Sequence, residues 1–286
     1  MSISRSTLFI TNGRFDKLHV RQWWDEEITP KAQCIIVHGY GEHSGRYDEI
    51  ATYLVASGYK VYSFDNVGHG LSEGRQGYVK RFADYADDVC RMSEWVRRIA
   101  DKSCIPLFII GHSMGGLILS DAVLRYGERL CDGVILSGPA LGLKRNASSV
   151  LISFLYCVSR VLPFLPIKAG YIRSRMLTHD EGKIEERKGD VLCHQKKSLR
   201  FVSEFLKAQR DVVEKAEAFL LPVMILQGSD DCIVDPRKVM SFYHALKIEN
   251  KTCIMYPHLY HEIFNEVERA CVFRDVLSWL DNQCIT

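Results

Sequence analysis

A chain of 286 residues with 47% hydrophobic and 25% charged residues has the composition of an ordinary globular protein with a sizeable core, which excludes a disordered chain. A formal charge of +2 gives no reason to expect a nucleic-acid partner. The ten cysteines show no C-x-x-C spacing and no apolar signal segment precedes the polar run from Asn12, so reduced thiols in a cytoplasmic setting are expected and a secreted disulfide scaffold is excluded.

In chain order, β-branched and aromatic runs predict eight strands, at Thr7 to Thr11, Leu18 to Trp24, Cys34 to His38, Val61 to Asp65, Leu107 to Ile110, Gly133 to Leu136, Val223 to Gln227 and Thr252 to Tyr256. The first two, joined by a short glycine-containing link, read as an antiparallel pair; the other intervening segments are long enough for crossover helices. Periodic apolar residues predict helices near Tyr47 to Ala56, Phe82 to Ala100, Met114 to Tyr126, Arg237 to Leu246 and Ile263 to Leu280. This alternation is that of an α/β fold, a mostly parallel sheet with helices on both faces. One connection breaks the rhythm. From Leu141 to Leu221 the chain runs about 80 residues before the next strand, more than a crossover helix needs, which predicts an inserted helical cap over 142–221 on a core made of 1–141 and 222–286, the whole acting as a single functional unit.

The strand ending at Ile110 feeds directly into Gly111-His112-Ser113-Met114-Gly115-Gly116 and then a helical pattern. This is G-x-S-x-G in the strand-turn-helix context it requires, with Ser113 projected above the sheet and the glycines permitting close backbone packing. A helix N-terminus there sets N–H groups beside a developing oxyanion. The strand ending in His38-Gly39-Tyr40-Gly41 stands where a second such donor is taken, so the oxyanion hole is assigned to the backbone N–H groups of Tyr40 and Met114.

HGYGEHSGRY at 38–47, FDNVGHGLSEG at 64–74, GHSMGG at 111–116 and LQGSDDCIVDP at 226–236 together resemble the monoacylglycerol lipase and lysophospholipase branch of the α/β-hydrolases, from about Trp23 to Trp279 and least distinctly in the cap. The resemblance implies an α/β-hydrolase fold and a serine carboxylester hydrolase that needs no cofactor and no metal. It also implies a substrate such as a monoacylglycerol or lysophospholipid, cleaved through an acyl-enzyme.

A serine hydroxyl needs a histidine to take its proton and a carboxylate to orient that histidine, in this fold in the order serine, acid, histidine. Three aspartates, Asp230, Asp231 and Asp235, follow the seventh strand, and two histidines, His258 and His261, follow the eighth. The resemblance favours Asp231, three residues after Gly228, and His261, before an acidic helix start; the other aspartates read as loop or cap carboxylates. A metal held by His258 and His261 lacks a third ligand at a sensible spacing. His69 and His112 read as packing or positioning residues. Glu42, His43, Ser44 and Arg46 order the oxyanion loop, touch a headgroup, or form a solvated helix start.

Between Lys144 and Ala218 there are 15 Lys and Arg against 9 Asp and Glu, so the cap is the basic part of the chain. It also holds an apolar stretch from Val150 to Ile167, too broken by Arg160, Pro163 and Pro166 to span a membrane but able to lie on one. An acyl-chain tunnel whose mouth rests on an anionic surface is one reading and a normally packed, solvated cap the other. Gly39, Leu151, Phe154, Leu155 and Leu162 are the candidate substrate contacts. Cys193 and Cys232 are expected near the pocket as small packing residues. The rivals are a short-chain esterase or an aminopeptidase of the same fold, and a binding protein that keeps the pocket without turnover.

Overall fold

Residues such as Cys34-Ile35-Ile36-Val37 and Phe108-Ile109-Ile110 are apolar at every position, which suits strands covered on both faces, and all of them are buried. The computed structural model describes residues 2–14, 16–100, 105–144, 148–168, 170 and 172–285, apart from the side chains of Ser149 and Ile285. It contains one eight-stranded sheet in the order β1-β2-β4-β3-β5-β6-β7-β8. The strands are β1 (Ile3–Thr11), β2 (Lys17–Asp25), β3 (Ala32–Val37), β4 (Tyr59–Phe64), β5 (Leu107–His112), β6 (Gly133–Ser137), β7 (Val223–Gly228) and β8 (Lys251–Tyr256). β2 is antiparallel to both β1 and β4, and every other pair is parallel. This is the α/β-hydrolase fold that the sequence implied.

Alternate residues of each strand feed two cores. Ile35, Val37 and Ile109 pack beneath α2 (Ala83–Ile99), α3 (Met114–Tyr126) and residues of a later helix, α7 (Pro236–Ala245). Cys34, Ile36, Phe108 and Ile110 pack against α1 (Asp48–Ala56) and the C-terminal helix α8 (Arg269–Ile285). The expected helix from Ile263 is not continuous. Ile263–Asn265 forms a single 3₁₀ turn and Glu266 turns extended, with α8 beginning only at Arg269. The cause is the buried Glu266 carboxylate, which accepts from the backbone N–H groups of Tyr260 at 2.7 Å and His179 at 2.9 Å and so holds the turn in place of a helix.

The connection from β6 to β7 carries three helices, α4 (Ser149–Val161), α5 (Glu181–Gly189) and α6 (Leu199–Glu214). Each opens on a polar cap: the side chains of Ser148, Asp180 and Ser198 accept from the N–H groups of Leu151, Lys183 and Phe201. Pro163 lies just past the end of α4. α4 is amphipathic with its apolar side in the open: Val150 is 80% exposed, Phe154 62% and Val161 79%. Among the described residues no helix is long and apolar enough to cross a membrane.

The sheet order fixes where chemistry can happen. From β3 the chain moves to β4 on one side, and β5 then returns to the other, so the loops after β3 and β5 diverge above a crevice. Val37 pairs with Gly111 in the register of β3 and β5, so His38-Gly39-Tyr40 and Ser113-Met114 emerge side by side.

Candidate active site

Ser113 stands between β5 and α3 with φ 54° and ψ −115°, a left-handed conformation that a serine adopts only where its surroundings compel it. Backbone contact supplies the compulsion. A Cβ on Gly115 would collide with the Val37 carbonyl oxygen, and one on Gly111 would lie 2.6 Å from the Gly115 oxygen. The Ser113 N–H donates to the Ser137 carbonyl at 2.9 Å and its own carbonyl accepts from the Ala140 N–H at 2.9 Å, pinning the turn to the end of β6.

Ser113 Oγ lies 2.8 Å from His261 Nε2, and His261 Nδ1 lies 2.7 Å from Asp231 Oδ2. Asp231 is fully buried, and its carboxylate also accepts from the Ile233 and Val234 N–H groups at 2.8 and 3.0 Å and from Gln227 Nε2 at 2.9 Å. Burial disfavours this carboxylate's charge, but His261 and these donors outweigh it and leave its pKa below the usual range. Burial likewise opposes a charged His261, and the charge and hydrogen bond of Asp231 reverse the sign, so its pKa stands above the ordinary histidine value. A carboxylate on Nδ1 holds the proton there and leaves the Nε2 lone pair facing the serine.

The competing residues lie elsewhere. Asp230 points outward and accepts from Ser229 Oγ at 2.8 Å, and Asp235 caps α7 by accepting from the Arg237 N–H at 3.0 Å. His258 has a side chain 90% exposed, 3.5 Å from Asp230, and takes no part in the cluster around Ser113.

Met114 is the buried first residue of α3, where a helix N–H has no partner within the helix. Tyr40 stands on the facing loop. His38 donates from Nδ1 to the Gly39 carbonyl at 2.7 Å and accepts at Nε2 from the Asn66 N–H at 2.8 Å, which fixes both its tautomer and the loop. The Gly39 N–H donates to Glu42 Oε1 at 2.6 Å, and a Cβ on Gly39 would stand 3.2 Å from the Ser113 Cβ, so this glycine permits the close approach of the two loops. His112 is buried with its ring centroid 5.0 Å from that of His261; burial, and then the charge of His261, pushes its pKa down to about 4, so it is neutral at neutral pH. His69 is buried between Tyr40 and His194, as a packing residue would be.

Glu42 and Arg46 order the loop after β3, one of the roles expected of them, and do so in a buried charge network with two residues that the motifs did not single out. Arg46 Nη1 contacts Glu42 Oε2 at 2.7 Å, Arg46 Nη2 contacts Glu262 Oε2 at 2.8 Å, and Arg187 from α5 lies 3.4 Å from Glu262. Glu42 and Arg46 sit in the first quoted motif, and Glu262 follows His261 directly, which was a usable signal. Arg187 carried none.

One group among the described residues has metal-ligand chemistry: His43, Asp190 and Cys193, with ligand atoms within 4.8 Å of one another. His43 Nδ1 accepts from the Gly45 N–H at 3.2 Å, which puts the ring proton on Nε2, toward Asp190 at 2.6 Å. The lone pair a metal would need therefore faces away from the group. Cys193 is half-buried beside Asp190, and burial pushes its thiol up to about 12. Cys232, expected as a packing residue, is instead exposed, because the tight Asp230-Asp231 turn swings it outward with Sγ 3.4 Å from the Asp230 carbonyl.

Of the apolar candidates, Leu155 is half-buried on α4, whereas Leu151, Phe154 and Leu162 are exposed. A cavity of about 790 Å³ lies between the segment after α4 and the start of α6, and none of the four lines it.

The serine aminopeptidase S33 family matches residues 28–268. This chain belongs to that family. Within it the chain sits in the monoglyceride lipase and phospholipase branch of the α/β-hydrolases. It is 33% identical over 260 residues to the phospholipase YtpA of Bacillus subtilis, covering 91% of this chain and 98% of that one. It is 31% identical over 268 residues to the monoglyceride lipase of Mus musculus, covering 92% and 86%. A soluble variant of the monoglyceride lipase of Saccharomyces cerevisiae, solved with a substrate analog, shares the fold with a TM-score of 0.85 at 23% identity, over 98% of this chain and 95% of that one.

Proposed function

We propose that the protein is a serine carboxylester hydrolase that cleaves the acyl ester of a single-chain lipid, a monoacylglycerol or a lysophospholipid, with Ser113, His261 and Asp231 as its catalytic residues. The observation that carries the reading is the continuous hydrogen-bonded chain from Ser113 Oγ through His261 to the buried Asp231. Relatives named phospholipase and monoglyceride lipase at about a third identity support the ester and the lipid.

In this reading Ser113 Oγ attacks the ester carbonyl as His261 Nε2 takes its proton, and the carbonyl oxygen gains the charge that the Tyr40 and Met114 N–H groups receive. Collapse of the tetrahedral intermediate breaks the bond to the alcohol oxygen, to which His261 returns the proton. Water, activated by the same imidazole, then hydrolyses the acyl-enzyme and releases the fatty acid. No metal or cofactor takes part.

Residues 142–221 serve in this reading as a cap over the core, and the exposed apolar residues of α4 give it a face for a membrane or micelle. A contiguous exposed apolar patch on an amphipathic helix within a basic segment supports peripheral contact with an anionic surface. The nine described cysteines are all unpaired, which supports a reducing, cytoplasmic setting.

A second reading, aminopeptidase action, has the family's own description in its favour. The test is hydrolysis of a matched panel: monoacylglycerols, lysophosphatidylcholine, short p-nitrophenyl esters and aminoacyl amides. Release of long-chain acids in preference to short esters and amides is expected. A preference for amides would replace the lipid reading while keeping the same three residues.

A further inference from the structure

The cavity of about 790 Å³ between the segment after α4 and the start of α6 has a composition that neither the triad nor the apolar face accounts for. Four cationic side chains line it, Arg75, Lys168, Lys196 and Lys197, together with Phe164 and Ser198, and no aspartate or glutamate is among its lining residues. Lys196 Nζ donates to Gln76 Oε1 at 2.7 Å and Lys197 Nζ to the Gly170 carbonyl, both neutral acceptors, so with no carboxylate on the lining an anion is the occupant of complementary charge.

The walls are built rather than accidental. Three segments meet there, and backbone bonds hold them together: the Ser198 N–H donates to the Gly77 carbonyl at 2.7 Å, the Ile167 N–H to the Lys197 carbonyl at 2.8 Å and the Leu199 N–H to the Leu165 carbonyl at 2.7 Å. A Cβ on Gly77 would strike the Lys196 carbonyl oxygen, so the close approach depends on that glycine. The Arg75 guanidinium lies 4.3 Å from the centroid of the Phe164 ring, which steadies a planar fork suited to phosphate oxygens. Burial holds the Lys197 ammonium below its usual range.

One residue of the loop facing Ser113 touches two of the lysines that line the cavity. The Tyr40 hydroxyl donates to the Lys196 carbonyl at 2.6 Å, and the Lys197 ammonium stands 5.4 Å from the centroid of the Tyr40 ring. Tyr40 thus has its backbone on the loop facing Ser113 and its ring on the lysines of the cavity. A lysophospholipid carries a phosphate on the glycerol that bears the ester, and a monoacylglycerol does not.

We propose that this cavity binds the phosphate of a lysophospholipid headgroup, so that the enzyme selects anionic lysophospholipids over neutral monoacylglycerols. The proposal rests on the reading of Ser113 as a lipid esterase. Its test separates the two, because equilibrium binding needs no turnover.

Binding of lysophosphatidic acid and of the monoacylglycerol with the same acyl chain is measured on the full chain carrying Ser113→Ala, with and without Arg75→Gln and Lys168→Gln. Tighter binding of lysophosphatidic acid is expected, and the two glutamines should reduce that preference about tenfold or more while monoacylglycerol affinity moves far less. Equal affinity for the two lipids, or a preference that survives both substitutions, would overturn the site. Competition by glycerol 3-phosphate and by inorganic phosphate identifies the source of the anion. Stronger competition by glycerol 3-phosphate supports the headgroup, whereas equal competition would make free phosphate the occupant and overturn the substrate assignment. With Ser113 restored, the same preference is expected in KM. Lack of turnover of both lipids would sink the esterase reading and leave the binding result to decide the site.

Discussion

Arg46 grips Glu262 with two guanidinium nitrogens, Nη1 2.9 Å from Oε1 and Nη2 2.8 Å from Oε2, and so ties the loop that carries Tyr40 to the loop that carries His261. The same guanidinium holds Glu42, whose other oxygen receives the Gly39 N–H and the Tyr47 hydroxyl. Both carboxylates are buried, and although burial disfavours their charge, Arg46 keeps each of them ionised below the usual carboxylate range.

Replacing Arg46 by Gln therefore leaves two buried carboxylates without their main counter-charge. We expect a stability loss of roughly 3–5 kcal/mol, read as a lower denaturant midpoint with an unchanged m-value. The esterase activity of the folded fraction should fall through kcat, since it is the relation between the two loops that is disturbed.

The pH dependence follows from His261. In the proposed mechanism it must be neutral to act as the base, and because Asp231 raises its pKa, kcat/KM should fall on acidification with a midpoint above the ordinary histidine value. In Asp231→Asn the counter-charge is gone, so the limb should move to lower pH while kcat drops by about 10⁴ as the tautomer is lost. A limb that stays in place in the variant would remove Asp231 from its role. Stability has the opposite sign: raising the His261 pKa stabilises the fold at pH below the unfolded value and is lost as pH rises through the folded one.

Gly115→Ala tests the elbow without touching a polar side chain. The new methyl meets the Val37 and His38 carbonyl oxygens, which are backbone and cannot swing aside. A loss of about 1–3 kcal/mol is expected in thermal unfolding, together with reduced activity as Ser113 is displaced.

The α4 face makes a separable claim. Phe154→Glu with Val161→Glu alters exposed side chains, so stability should change by no more than about 0.5 kcal/mol for each substitution. Co-sedimentation with anionic vesicles should fall, and hydrolysis of a monomeric short ester should not. Equal sedimentation of both proteins would remove the apolar face from membrane contact.

The eight strands were legible because continuous apolar runs such as Leu107–Ile110 belong to strands covered on both faces, and the elbow was legible because its glycines answer to backbone contacts a few residues away. The choice among Asp230, Asp231 and Asp235 was not fixed by the residues themselves. It turns on which side chain receives the Ile233 and Val234 N–H groups, a property of the folded turn. The same holds for the start of α8, where a periodic pattern from Ile263 is interrupted by the tertiary bonds of Glu266, and for Arg187, which reaches Glu262 across 75 residues of chain. The apolar residues of α4 were visible in the sequence, but their exposure was not, since the same composition suits a tunnel lining or an outer face.

The central claim, that Ser113 is a nucleophile activated by His261, is tested most directly by labelling with a fluorophosphonate and locating the adduct by peptide mass spectrometry, alongside lipid hydrolysis by wild type and Ser113→Ala. The account predicts a single adduct on Ser113, abolished in Ser113→Ala, and a fall in kcat on the order of 10⁶ with the fold intact. An adduct on another residue, or a Ser113→Ala protein that hydrolyses the lipid within about tenfold of wild type, would contradict it.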